Sequence, residues 1–179
     1  DGSIYSVSSY DNSEPWPFTS AGLPEAKPVD IAYNIPDRYT EDYFILYENG
    51  YVYAFGYNSY GYDFNYNGNY GVGTNSSVTV PTLVNLDDVV DIESTSNATY
   101  FRTADNKLYY AGGNVNVPTL MAENVTELTS PNDNVQFKMD GMWYETGSGG
   151  SKYLLTDEAG LTAAMGKDLY LKDGVAYFK

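Results

Sequence analysis

Three groups of residues have the types and spacing to do chemistry. The run Asp63-x-Asn65-x-Asn67-Gly68 opens like a calcium loop, with oxygen ligands at alternate positions and a glycine at the bend. Its twelfth position holds Thr74 where a bidentate Glu belongs, and only Asp63 is charged. A loop without its principal carboxylate holds a hard cation weakly, so Asn-Gly turn chemistry is the stronger reading. Asp87-Asp88 offers a carboxylate pair of the kind used in acid–base catalysis and glycoside hydrolysis. It stands between two apolar stretches, where a solvated turn belongs, and 24 acidic residues make some adjacent pair inevitable. His and Cys are absent, which removes the commonest general base, the commonest metal ligand and all thiol chemistry. The expectation is no catalytic residue, no metal and no cofactor. A carboxylate-based glycoside hydrolase is the less favoured alternative.

The third group is aromatic. Tyr accounts for 20 of the 179 residues, and the stretch YGYDFNYNGNY brings together Tyr60, Tyr62, Phe64, Tyr66 and Tyr70 among Asn and Gly. Aromatics at alternate positions of an extended segment point to one side. Rings set among Tyr, Ser, Gly and Asn make rigid anchors on adaptable surroundings, as in antibody paratopes. These five are the candidate ligand-binding residues. The competing reading folds the same rings back over a blade as structural cover, and low-complexity disorder is a third. Two Trp residues were weighed in the same way. Trp16, in EPWPF, reads as a cap over open core before a ligand contact, and Trp143, in DGMWY, reads as core before a stacking platform.

Composition bounds the partners. The formal charge is −15, with nine Lys plus Arg against 24 Asp plus Glu, so nucleic acid and anionic membrane surfaces are disfavoured. Hydrophobic content of 42% is too high for a disordered chain. No apolar run reaches the length of a membrane span, and the first residues do not resemble a signal peptide. The chain opens at Asp1 inside a repeat, which reads as a piece excised from a longer polypeptide, with residues 1–179 forming a single repeat-built β domain.

The elements that must position these residues are announced by one recurring turn. Asn49-Gly50 sits between the alternating apolar runs Tyr43–Tyr47 and Tyr51–Phe55, the strongest short-range hairpin signal because both central residues must accept φ > 0. The pattern returns as DGSIY at Asp1, DNKLY at Asp105, DGMWY at Asp140 and DGVAY at Asp173. Other pieces keep phase with it: VPTL at Val80–Leu83 and Val117–Leu120, VDI at Val29–Ile31 and Val90–Ile92, and a weaker VTEL at Val125–Leu128. Each unit therefore runs through a VDI-like strand, an apolar strand, an Asp-Gly turn, a Tyr strand, a glycine-rich loop and a PTL strand. Units are expected at residues 29–86, 89–123 and from 125 onward, and only Asp157–Met165 could form a short helix. Regular short strands punctuated by turns argue for an all-β class.

With those residues in place the repeat resembles the regulator-of-chromosome-condensation family of β-propellers, best over residues 29–123. Asn49-Gly50-Tyr51-Val52-Tyr53-Ala54-Phe55-Gly56 matches the family's DGxVYxWG strand, with Phe55 in the Trp position. Gly56-Tyr57-Asn58 and then Asn69-Tyr70-Gly71-Val72-Gly73-Thr74 match its glycine-rich loop, split by the aromatic insertion, and Val80-Pro81-Thr82-Leu83 falls where the Pro-containing strand belongs. The resemblance implies four-stranded antiparallel blades, about four units plus a fragment, in a partial or small propeller whose open blade edges could self-associate.

The functional expectation joins both lines: a non-catalytic extracellular or cell-surface module that contacts a protein partner through the Tyr-rich loop and the turns between strands. A carbohydrate-binding module, and a structural spacer or stalk of a surface protein, are the alternatives.

Overall fold

A computed structural model of the chain describes residues 5–6, 16–17, 22–37, 40–56, 70–130, 134–155, 161–164, 169–172 and 175–178. Five antiparallel sheets follow one another along the sequence. β1 (Tyr5–Ser6) pairs with β2 (Trp16–Pro17). β3 (Pro28–Asp37), β4 (Thr40–Tyr47), β5 (Val52–Gly56) and β6 (Val78–Leu83) form a four-stranded meander. So do β7 (Val89–Ser94), β8 (Ala98–Thr103), β9 (Leu108–Gly112) and β10 (Val115–Ala122). The third meander joins β11 (Val125–Thr129), β12 (Gln136–Met139), β13 (Met142–Thr146) and β14 (Lys152–Leu154). β15 (Leu161–Ala164), β16 (Leu169–Lys172) and β17 (Val175–Phe178) make a three-stranded sheet.

The expected units coincide with the three meanders, and in the first two each strand type falls in its expected place; the third closes with Lys152–Leu154 where the others have a PTL strand. The short helix expected at Asp157–Met165 is corrected: Leu161–Ala164 is β15, with Leu161 opposite Lys172 and Ala164 opposite Tyr170. A segment too short to hold a helix alone takes the conformation its neighbour imposes. The one helical piece among the described residues is a 3-10 turn at Ser148–Gly150.

The turns are of two kinds. At Asp140-Gly141 both residues have positive φ, 52° and 82°, and Met139 pairs directly with Met142 across a two-residue hairpin. At Asn49-Gly50 only Gly50 is left-handed, φ 79°, and the Tyr47 N–H donates to the Tyr51 carbonyl around a three-residue loop. The Thr103–Lys107 turn repeats this, with Asn106 at φ 62° in the place of Gly50. The expectation that both Asn49 and Gly50 need positive φ is thus corrected, because the loop is one residue longer. The Asp1 and Asp173 turns lie outside the described residues.

The two three-residue turns also tie one sheet to the next. The Gly50 carbonyl accepts the Val89 N–H at 3.0 Å, and the Asn106 carbonyl accepts the Val125 N–H at 2.8 Å. Between the first two meanders Phe44, Leu46, Val52, Ala54, Tyr70 and Val84 pack on Val89, Ile92, Phe101 and Ala111. Between the second and third, Tyr100, Leu108 and Tyr110 pack on Val125, Leu128, Val135 and Phe137. The core is therefore a series of sheet-to-sheet layers, as in blades stacked around an axis.

Candidate interaction surfaces

Cross-strand rungs show how one repeat places the same side chain in three environments. Ile31–Ile45–Tyr53–Leu83, Ile92–Phe101–Tyr109–Leu120 and Leu128–Phe137–Tyr144–Leu154 are equivalent rows, each ending in an exposed Leu on the outermost strand. The VPTL copies also fold alike. Thr82 Oγ1 donates to the Val80 carbonyl at 2.9 Å and Thr119 Oγ1 to that of Val117 at 3.1 Å, with Val80 and Val117 both exposed. Pro81 and Pro118 lack an N–H, so these edge strands present fewer donors to an invading strand.

The aromatic insertion is held at its C-terminal end. Tyr70 is fully buried, its ring edge-on to Phe44 with centroids 5.4 Å apart and its hydroxyl donating to Asp42 Oδ1 at 2.5 Å. That corrects its assignment as a contact residue. A ring locked in the first sheet-to-sheet layer serves the core. Tyr60, Tyr62, Phe64 and Tyr66 lie outside the described residues, as does the calcium-like run Asp63–Gly68. No cluster of metal-ligating groups occurs among the described residues.

Asp87 and Asp88 are exposed, as a solvated turn requires. Asp88 is left-handed at φ 57°, and its carbonyl accepts the Ala104 N–H at 2.9 Å. With Asp105, Thr103, Ala104, Leu86 and Tyr109 the pair borders an open depression of about 440 Å³. Asp105 accepts from Lys107 Nζ at 2.6 Å and from the Thr103 hydroxyl at 2.6 Å, and these bonds, that from Lys107 first, hold its carboxyl below the usual range.

Charge at the inner strands was not singled out from the sequence. Asp91 meets Arg102 at 3.2 Å across β7 and β8, and Glu127 meets Lys138 at 2.8 Å across β11 and β12. The two pairs occupy one rung position of successive blades. Burial pushes the Asp91 carboxyl up against the pull of Arg102. Burial likewise raises Glu93, with Asp91 and Asp30 adding to the shift, while the Ser130 hydroxyl bonds the carboxylate and opposes it. The acidic residues of the second VDI copy and of VTEL each face a base on the next strand, whereas Asp30 of the first VDI copy faces Leu46.

Trp143 is buried in the slot held by Val52 and Leu108, with Lys138 Nζ 5.9 Å from its ring centroid. Its core reading holds. The indole N–H has no partner among the described residues. For Trp16 only the strand backbone is described.

No protein-family model matches the chain, and no curated protein matches it. Solved structures do. Yeast RCC1 (Prp20) bound to Kap60 aligns with a TM-score of 0.54 at 20% identity, over 74% of this chain and 32% of that one. Prp20p from Saccharomyces cerevisiae, in a study of its binding to Gsp1p and histones, gives 0.54 at 21%, over 74% and 33%. Human WBSCR16 gives 0.54 at 17%, over 70% and 34%. The chain thus spans about a third of the length of these proteins. What it shares with them is the fold: successive four-stranded blades of the RCC1-like β-propeller type.

Proposed function

We propose that this chain is a non-catalytic protein-binding module acting outside the cell or at its surface. It contacts its partner through the insertion that carries Tyr60, Tyr62, Phe64 and Tyr66, together with the turns between strands. The observation that carries this reading is the Tyr70 anchor: the insertion leaves β5 at Gly56 and returns at a residue locked to Phe44 and Asp42. Aromatic anchors delivered from a rigid base lose less conformational freedom on binding. One of the fold's neighbours, yeast Prp20, is described with protein partners, Kap60 in one structure and Gsp1p and histones in the study of another, which supports a protein as the ligand class. The acid-rich surface favours a partner with a basic complement.

The test is pull-down with the triple variant Tyr62→Ala, Phe64→Ala, Tyr66→Ala. Capture of the partner should be lost while the melting curve stays nearly unchanged. Retained capture by the triple variant would sink the proposal. Retardation on a polysaccharide gel would move the ligand to carbohydrate, and glycoside turnover abolished by a single Asp or Glu substitution would make the chain an enzyme.

A further inference from the structure

An Asn-Gly pair is the dipeptide most open to attack by its own backbone, because glycine carries no side chain to shield its nitrogen. The chain holds two such pairs, Asn49-Gly50 and Asn67-Gly68, and the second lies outside the described residues. Asn49 is exposed at the corner between β4 and β5. The fold engages both reacting groups. The Gly50 N–H donates to the Tyr47 carbonyl at 2.9 Å, and Asn49 Oδ1 accepts the Tyr51 N–H at 3.3 Å. Beyond the corner there is no slack. The Gly50 carbonyl accepts the Val89 N–H at 3.0 Å, and a methyl group on Gly50 would stand 3.0 Å from Asp88 Cα. Val89 is 2% exposed, and a buried N–H deprived of its acceptor is costly.

We propose that Asn49 is a site of spontaneous isoaspartate formation, held back by the folded turn, whose product breaks the tie between the first two blades. The Gly50 nitrogen gives its proton to water or hydroxide and bonds to Asn49 Cγ, and the side-chain nitrogen leaves as ammonia. Water then opens the five-membered succinimide, and nothing is oxidised or reduced. Hydrolysis at Cγ yields aspartate. Hydrolysis at the Asn49 backbone carbonyl carbon yields isoaspartate, in which the chain runs through Cγ, one atom longer, and the α-carboxylate is free. The two products differ in effect. Aspartate suits the turn: Asp105 holds the same place in the equivalent three-residue loop, whose Asn106 carbonyl keeps its bond to Val125. Isoaspartate inserts an atom just ahead of Gly50, whose Cα and carbonyl are fixed against Asp88 and Val89.

The test uses the full chain carrying Asn67→Gln, which leaves a single Asn-Gly pair. If that variant alters the melting curve, the parent chain is mapped peptide by peptide instead. Incubated folded at neutral pH, the chain should form isoaspartate at least about tenfold more slowly than a synthetic peptide of residues 45–53, the factor that one retained hydrogen bond imposes. Aged in urea and refolded, the products are separated by chromatography and identified by peptide mapping. The isoaspartate form should melt at least about 3 °C below the parent, the shift expected from one lost buried backbone hydrogen bond. Asn49→Asp should melt as the parent does. Isoaspartate material that fails to refold, while aspartate material from the same batch refolds, is a larger form of the same loss. Equal rates in the folded chain and the peptide would overturn the proposal. So would an isoaspartate form that melts with the parent, or no isoaspartate at Asn49 even in urea.

Discussion

Two faces of this molecule are built by the same repeat and differ in chemistry. The layer between the first two meanders is mainly apolar, Phe44, Leu46, Val52 and Ala54 against Ile92, Phe101 and Ala111, with the buried Tyr70–Asp42 hydrogen bond as a polar contact. The forward face of the third meander, on the side of β13 beside β15, instead carries Gln136, Lys138, Trp143 and Glu145. Gln136 and Glu145 are buried there, joined by a long hydrogen bond of 3.5 Å. Position in the repeat decides which side chains are covered, and the residue type at that position decides how strongly the next sheet is held. An apolar layer gains in proportion to the area it removes from water. A buried carboxylate first loses its hydration, and a 3.5 Å contact returns little of that.

The largest effect should come from breaking the apolar layer. Phe101 is fully buried in it, and Phe101→Ala should cost about 3–5 kcal/mol, read as a lowered urea midpoint. The same change at an equivalent position of a weaker layer should cost less, so a Phe101→Ala loss below about 1 kcal/mol would erase the contrast.

The repeat itself was legible because its signals are local. Asp-Gly, Asp-Asn and Asn-Gly pairs need only their own backbone preferences to mark corners, and VDI and VPTL need only alternation to mark strands. What failed to show was whatever depended on a neighbour. Ile31 and Ile92 stand in the same tripeptide, yet Ile92 is sealed against the first meander and Ile31 is half-exposed. Tyr70 ends a series of aromatics at even-numbered positions, and nothing in the spacing says that its ring turns inward to Asp42. Leu161–Ala164 has helix-forming residues, yet its pairing with β16 makes it a strand. The cross-strand pairs Asp91–Arg102 and Glu127–Lys138 were hidden for a related reason, since register had to be known before their partners could be matched.

A middle-sized effect should come from the polar face. Gln136→Ala leaves the buried Glu145 carboxylate without its neighbouring amide, and should cost about 1–3 kcal/mol. Replacing both together, Gln136→Leu with Glu145→Leu, removes the desolvated pair and should bring stability back to within about 1 kcal/mol of the parent. A double variant as unstable as Gln136→Ala would show that the polar pair contributes more than its geometry implies. It would also remove the distinction drawn between the two faces.

The smallest effect is a pH slope at the inner strands. Asp91 and Glu93 both have carboxyls raised chiefly by burial. Between the ordinary carboxylate range and those raised values the folded chain binds more protons than the unfolded one, so stability falls as pH rises through that window. Mild acidification from neutrality should therefore increase the melting temperature, by about 1–3 °C, and the gain should level off once the ordinary carboxylate range is reached. Net charge of −15 acts in the same direction, because protonation relieves self-repulsion, but that contribution is screened by salt and the partly buried one much less so. Repeating the melts in high salt separates them. Glu93→Gln should flatten the part of the slope that survives salt, and a slope left unchanged by that substitution would assign the whole pH response to surface charge.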